Sequence, residues 1–192
     1  ISIAFGDLTL RYPGADGRSA DTEEELKLPA FVSDAVSSGW LYPHILLDTI
    51  LSIITAVVRR RVFDDVGLFD ETLRMGEDYE FWIRVAQAHR FHKVDHVVAC
   101  YRRHPGGTTR ALRDEISEYQ VVVDAVARFG LTGKHNAKLA PGVLDQRLYR
   151  MCFDHGYDHF WNGNVRIAAK SFRRAIGHDP LRTKALGYYV AS

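Results

Sequence analysis

Residues 67–84, Gly-Leu-Phe-Asp-Glu-Thr-Leu-Arg-Met-Gly-Glu-Asp-Tyr-Glu-Phe-Trp-Ile-Arg, leave the chain little conformational choice. Gly67 and Gly76 bracket a polar, turn-prone stretch. The acidic pair Glu77-Asp78 follows at once, and acidic residues favour the first turn of a helix, where unpaired amides carry partial positive charge. Phe81, Trp82, Val85 and Ala86 then recur at helical spacing along one side. The segment reads as a turn feeding an amphipathic helix over 77–89, with a carboxylate at the helix mouth beside a buried aromatic. Asp78, with Glu77 as its neighbour, is therefore a candidate general base. On residue chemistry alone, capping of the helix is the stronger reading of the pair. The flanking turn and the aromatic shift it towards a site.

The rest of the chain alternates strand and helix patterns at first and becomes helical later. Ile1–Tyr12 has the alternation of a half-buried strand, broken at Gly6-Asp7. A turn-rich loop follows to Ser19, and Glu23–Glu25 is an acidic run expected to be solvated. Leu41–Leu51 reads as helix, Ser52–Val58 as strand, and Val62–Val66 as a short helix stopped by Gly67. Phe91–Tyr101 is a β segment, and residues 105–109 form a Gly-rich loop. From Leu112 to Phe129 apolar residues fall at helical spacing and stop at Gly130. After a polar link over 131–142 the pattern is helical to the end.

The residues around Asp78 resemble the acceptor half of family 2 glycosyltransferases of the GT-A fold, whose "vG.FDE.L...ED..." segment is followed by an aromatic and an Arg. Upstream, Ile53–Phe63 matches an apolar strand ending in basic residues and a short helix. Downstream, Tyr101-Arg102-Arg103-His104 matches the family's "YR.H" signature. The resemblance covers residues 1–110. It implies an α/β fold, a truncated, Rossmann-like GT-A domain, carrying sugar from a nucleotide-sugar donor to a glycan, lipid or other hydroxyl acceptor with inversion. Asp78 would be the base. Gly67, Phe69, Asp70 and Glu71 would shape the acceptor pocket, and Arg102 or Arg103 would bind phosphate. His104 would ligate a divalent metal, Mn or Mg, or touch the diphosphate. Trp82 can stack on a sugar face, although its place in the apolar stripe favours the core. The family's DxD motif is missing, and Asp7 belongs to a strand just after it, so Asp7 is not that motif. The chain opens on Ile inside a strand and reads as part of a longer protein. It is expected to hold the acceptor face and base but no donor site, and to be inactive alone. Without a QxxRW motif, the parent reads as non-processive.

Residues 111–192 carry a second pattern. Gly156, Ala168, Phe172, Ala175 and Pro180 fall at the spacings of one TPR-like (tetratricopeptide) helix pair, about 149–181. Small residues let two helices approach, Phe172 fills the gap, and Pro180 stops the second helix. One unit makes no solenoid, so the tail reads first as a helical cap and second as a surface for a protein partner.

Composition narrows the field. With 25 basic and 24 acidic residues the formal charge is +1, which gives no bulk electrostatic case for nucleic acid. The clusters Arg59–Arg61 and Arg102–Arg103 read as solvated strand ends, or as a lip for a phosphate-bearing substrate. Cys100 and Cys152 read as reduced thiols of a cytoplasmic protein, at most peripheral to a membrane. The apolar stretch Ile45–Val58 is too short and too polar to span a bilayer. His155 and His159 stand one helical turn apart but lack the glutamate of HExxH. Two other readings stay open: a non-catalytic interaction fragment, and a small helical binding protein in which Asp78 and His104 lie far apart.

Overall fold

The structure is a computed structural model that describes residues 1–13, 19–25, 38–102, 112–134 and 137–192, with 10–13 and 19–25 as backbone. It is a mixed α/β protein whose chain divides into two compact units. Unit 1 comprises Ile1–Ala111 and Thr132–Ala137; unit 2 comprises Leu112–Leu131 and Lys138–Ser192.

Unit 1 is built on a four-stranded sheet with the long strand β1 (Ile3–Pro13) at its centre. One edge of β1 pairs in parallel with β4 (Phe91–Arg102), setting Ile3 opposite Phe91 and Leu10 opposite Tyr101. The other edge is shared by two antiparallel strands. First comes β3 (Ala56–Val58), with Ile3 opposite Val58, and then β2 (Ser19–Glu25), with Thr9 opposite Glu25. The acidic run Glu23–Glu25 is thus strand, because β1 supplies a ladder that outweighs its poor β propensity. The β1/β4 register slips on both sides of Asp7. At Gly6 the two strands crowd: a Cβ there would lie 2.7 Å from the His96 carbonyl oxygen and 2.8 Å from a Val98 methyl, which only glycine avoids.

Beside the sheet lie α1 (Tyr42–Ile45), a 3-10 turn over Ile53–Thr55, α2 (Arg60–Val66) and α3 (Glu77–Ala88). The helix expected over 41–51 is only four residues long. Ile50 and Leu51 are buried all the same, so their apolar character reports the core rather than a helix. Likewise the strand expected over 52–58 is three residues preceded by the 3-10 turn. The unit's core is a chain of rings: Phe69 meets Phe81 at 4.5 Å, Phe81 meets Trp82 at 5.2 Å, and Trp82 and Phe5 each meet Phe91 at 6.5 Å. Tyr79 is buried and donates its hydroxyl to the Ile45 carbonyl at 2.6 Å, fixing α3 against α1. The hook Thr132–Ala137 belongs here too. Gly133 packs closely on Tyr42 and Pro43, and the Lys134 ammonium lies 5.0 Å above the Trp40 ring.

Unit 2 holds α4 (Ser117–Phe129), α5 (Pro141–Asn162), α6 (Val165–His178) and α7 (Thr183–Ala191). Asn164 begins α6 by accepting from the Arg166 amide at 2.9 Å. The close approach of α5 and α6 rests on Gly156, where a Cβ would stand 2.9 Å from two carbons of the Phe172 ring. Phe172, Ala168 and Ala175 are fully buried with Cys152, and Tyr149, Phe153 and Ala185 complete the core. Burial pushes the Cys152 thiol up to about 12, so it stays protonated and packs as a small apolar group. His155 and His159 bind no metal-like set. Both Nε2 atoms meet the single carbonyl oxygen of Arg113, at 2.6 and 2.7 Å. His155 Nδ1 pairs with Ser171 Oγ at 2.8 Å, while His159 Nδ1 accepts from the Asn164 amide at 3.2 Å. The spacing that suggested zinc serves instead as a clasp on the segment before α4.

Candidate functional site

The turn before α3 is held by a guanidinium. Arg84, on the third turn of α3, donates to the Val66 carbonyl and, at 2.7 Å, to the Leu68 carbonyl, the two oxygens on either side of Gly67. Its Nε donates to Glu80 Oε1 at 2.6 Å. Gly67 sits at φ 84° and Gly76 at φ 81°, a left-handed region that side chains disfavour. Between them Asp70 accepts from the Thr72 amide at 2.9 Å and the Thr72 hydroxyl at 2.6 Å. Those bonds hold its carboxyl below the usual range. The turn is therefore closed locally and delivers the chain into α3 at a fixed angle.

Asp78, the second residue of α3, lines a cavity of about 170 Å³ in unit 1. The other lining residues come from β1 at its register slip, Gly6 to Leu8, and from the segment Thr49–Ser52 with Thr55. Among the lining residues Leu8, Ile50 and Leu51 are apolar, whereas Asp7, Thr49, Ser52 and Asp78 are polar. Thr55 donates its hydroxyl to the Ser52 carbonyl at 2.8 Å. Asp7 Oδ1 is 3.2 Å from Lys93 Nζ, with both side chains largely sequestered. The hollow is smaller than the ~300–1,000 Å³ pockets that enclose drug-sized ligands, and it suits one small ring.

Burial pushes the Asp78 carboxyl above its ordinary value. A hydrogen bond from the Tyr79 amide, 2.8 Å from Oδ1, opposes that, and the charge of Glu77 adds to it. The half-buried carboxylate is thus a stronger base than a solvated aspartate.

The other residues singled out in the sequence are placed elsewhere. Gly67, Phe69, Asp70 and Glu71 form the turn and are not among the cavity walls; Asp70 and Glu71 are exposed, and Phe69 packs on Phe63 and Phe81. Glu77 is partly exposed and adjoins the cavity residue without lining it. Trp82 is 1% exposed, so the proposed stacking on a sugar face gives way to core packing between Phe81 and Phe91. Arg102 is exposed at the end of β4, opposite Arg11 in the register. Arg103 and His104 lie outside the described residues, so the pairing of Asp78 with an imidazole has no geometry here. Asp7 was passed over in the sequence. Its signal was the Gly6-Asp7 interruption of an otherwise regular strand pattern.

No group of three or more His, Cys, Asp or Glu side chains that could hold a metal occurs among the described residues. The chemistry below is assigned to Asp78, and His104, the expected metal ligand, lies outside the described residues. Among the same residues no helix is long and apolar enough to cross a membrane. Comparison with known proteins finds no family model, no curated protein and no solved structure that matches this chain.

Proposed function

We propose that the protein is an inverting glycosyltransferase of truncated GT-A type in which Asp78 removes the proton from an acceptor hydroxyl. The freed oxygen forms a bond to the anomeric carbon of a nucleotide-sugar as the bond to the diphosphate breaks, and the nucleoside diphosphate departs. The observation that carries the reading is one residue in one place: Asp78, half-buried and raised in basicity, on the wall of a cavity sized for a single ring. The parallel pairing of β1 with β4 and the Arg84-held turn support it, since both give the acidic pair a rigid frame. Unit 2 is proposed as a helical extension of that domain.

The test is Asp78→Asn in the full-length protein. Release of nucleoside diphosphate is read over a panel of UDP-, GDP- and dTDP-sugars with mixed hydroxyl acceptors. A general base contributes ~10²–10⁴ in rate, so turnover should fall by that factor while the fold is retained. Near-normal turnover in the folded variant removes Asp78 from the mechanism.

A further inference from the structure

We propose that Asp7 is the carboxylate that binds the incoming molecule in the Asp78 cavity, and that this molecule is a neutral ring bearing adjacent hydroxyls, a pyranose. The proposal rests on the acceptor-site reading for its place in the reaction, but not for its evidence.

Three observations converge on Asp7. First, the β1/β4 ladder slips on both sides of it. A residue that only pairs needs no such slip, and local irregularities of this kind re-aim a side chain. Glycine at position 6 makes the slip possible, because the strands approach too closely there for any Cβ. Second, the carboxylate is held. Lys93, from β4, engages Oδ1 at 3.2 Å, which leaves Oδ2 to accept from a ligand. Third, Asp7 and Asp78 line the same hollow from different elements, and Thr49 and Ser52 line it too.

The chemistry of that lining selects its occupant. Two carboxylates repel an anion such as a phosphate. The Lys93 ammonium offsets one of the two charges, so the cavity has less hold on a cation than an unpaired acidic pair would have. A neutral polyol suits it best: its hydroxyls donate to carboxylate oxygens and accept from the Thr49 and Ser52 hydroxyls. Leu8, Ile50 and Leu51 are the apolar residues of the lining. Asp7 would then orient one hydroxyl while Asp78 faces the one that reacts.

The experiment titrates the full chain with methyl α-D-gluco-, galacto- and mannopyranoside, read by saturation-transfer NMR. Tetrahydropyran-2-methanol, a ring without adjacent hydroxyls, is the control. At least one pyranoside should bind in the millimolar range and the control should not. Asp7→Asn should weaken binding about tenfold or more, the loss of a hydrogen bond to a charged group. In turnover, Asp7→Asn should raise KM with kcat largely kept, whereas Asp78→Asn should lower kcat. If Asp7→Asn does not fold, the ¹³C carboxyl resonance of Asp7 in the wild type reads the same contact and should move on titration. Absence of pyranoside binding, equal binding by the control, undiminished binding by folded Asp7→Asn, or an unmoved Asp7 resonance overturns the proposal. None of these outcomes bears on whether Asp78 is a base, which the kcat of Asp78→Asn decides separately.

Discussion

A carboxylate in the first turn of a helix ordinarily gains from the unpaired amides there, which favour its ionised form. In Asp78 burial outweighs that gain and raises the pKa. Folded protein then binds more protons at this position than unfolded chain does between the two pKa values. Its contribution to stability is complete below the unfolded value, about 3.9, and is lost as pH rises through the folded one. Asp78→Asn should therefore melt above wild type at pH 7, with the gap closing towards pH 3, by differential scanning calorimetry. The acid limb of the wild-type rate profile should likewise be displaced upward from that of a solvated aspartate, as burial requires. Arg84 is the other residue with an isolable role. Arg84→Met strands the Val66 and Leu68 carbonyls and Glu80, and should lower stability by about 2–3 kcal/mol in urea titration. Lysine should rescue only part, having no planar fork to reach three acceptors. At this scale Asp78 could be read from the sequence because turn, acid and aromatic are consecutive. Asp7 was harder, since its meaning depends on Lys93 and Thr49, which are distant in the chain and adjacent only once folded.

Among the elements, α3 and α6 announce themselves by spacing, and Gly156 with Phe172 does so through a small residue opposite a large one. Gly156→Ala sets two effects against each other. Helix propensity favours alanine by up to ~1 kcal/mol, while a Cβ at 2.9 Å from the Phe172 ring overpacks the core by ~1–3 kcal/mol. The variant should be net destabilised by about 1–2 kcal/mol, and Phe172→Leu in the same chain should relieve part of it; chemical denaturation reads both. The histidine clasp has its own pH dependence. Burial lowers the His155 pKa, with the Arg113 carbonyl and Glu115 opposing and His159 and Arg174 reinforcing. Its stabilising share is present above the unfolded value, about 6.5, and is lost as pH falls through the lower folded value. Protection factors of the α5 amides, corrected for intrinsic exchange, should fall as the pH drops below about 6.5, and His155→Gln should flatten that dependence. The shortness of α1 was illegible for a physical reason. Buried loop and buried helix both need apolar residues, and Pro43 at its start with Asp48-Thr49 beyond its end decide how far the turns run.

For the molecule as a whole, charge is nearly balanced and the sequence pI is about 8.0. Self-repulsion is weakest there, so light scattering against pH should show the greatest association near pH 8 and relief on either side. The exposed Val97 and Val98 of β4 add apolar surface beside that strand and sharpen the effect. The change from mixed sheet to helices was legible near residue 111, because periodicity changes there. The return to unit 1 over Thr132–Ala137 was not: a six-residue polar stretch carries no periodicity, and only its contacts with Tyr42 and Trp40 assign it.

That return governs inheritance. A crossover between two genes at residue 111 would graft a foreign tail onto a first half deprived of Gly133 and Lys134, leaving Tyr42 and Trp40 without the backbone and the cation that lie on them. One breakpoint cannot exchange either half intact. The two parts of this protein are stitched rather than concatenated, and descent must carry them together.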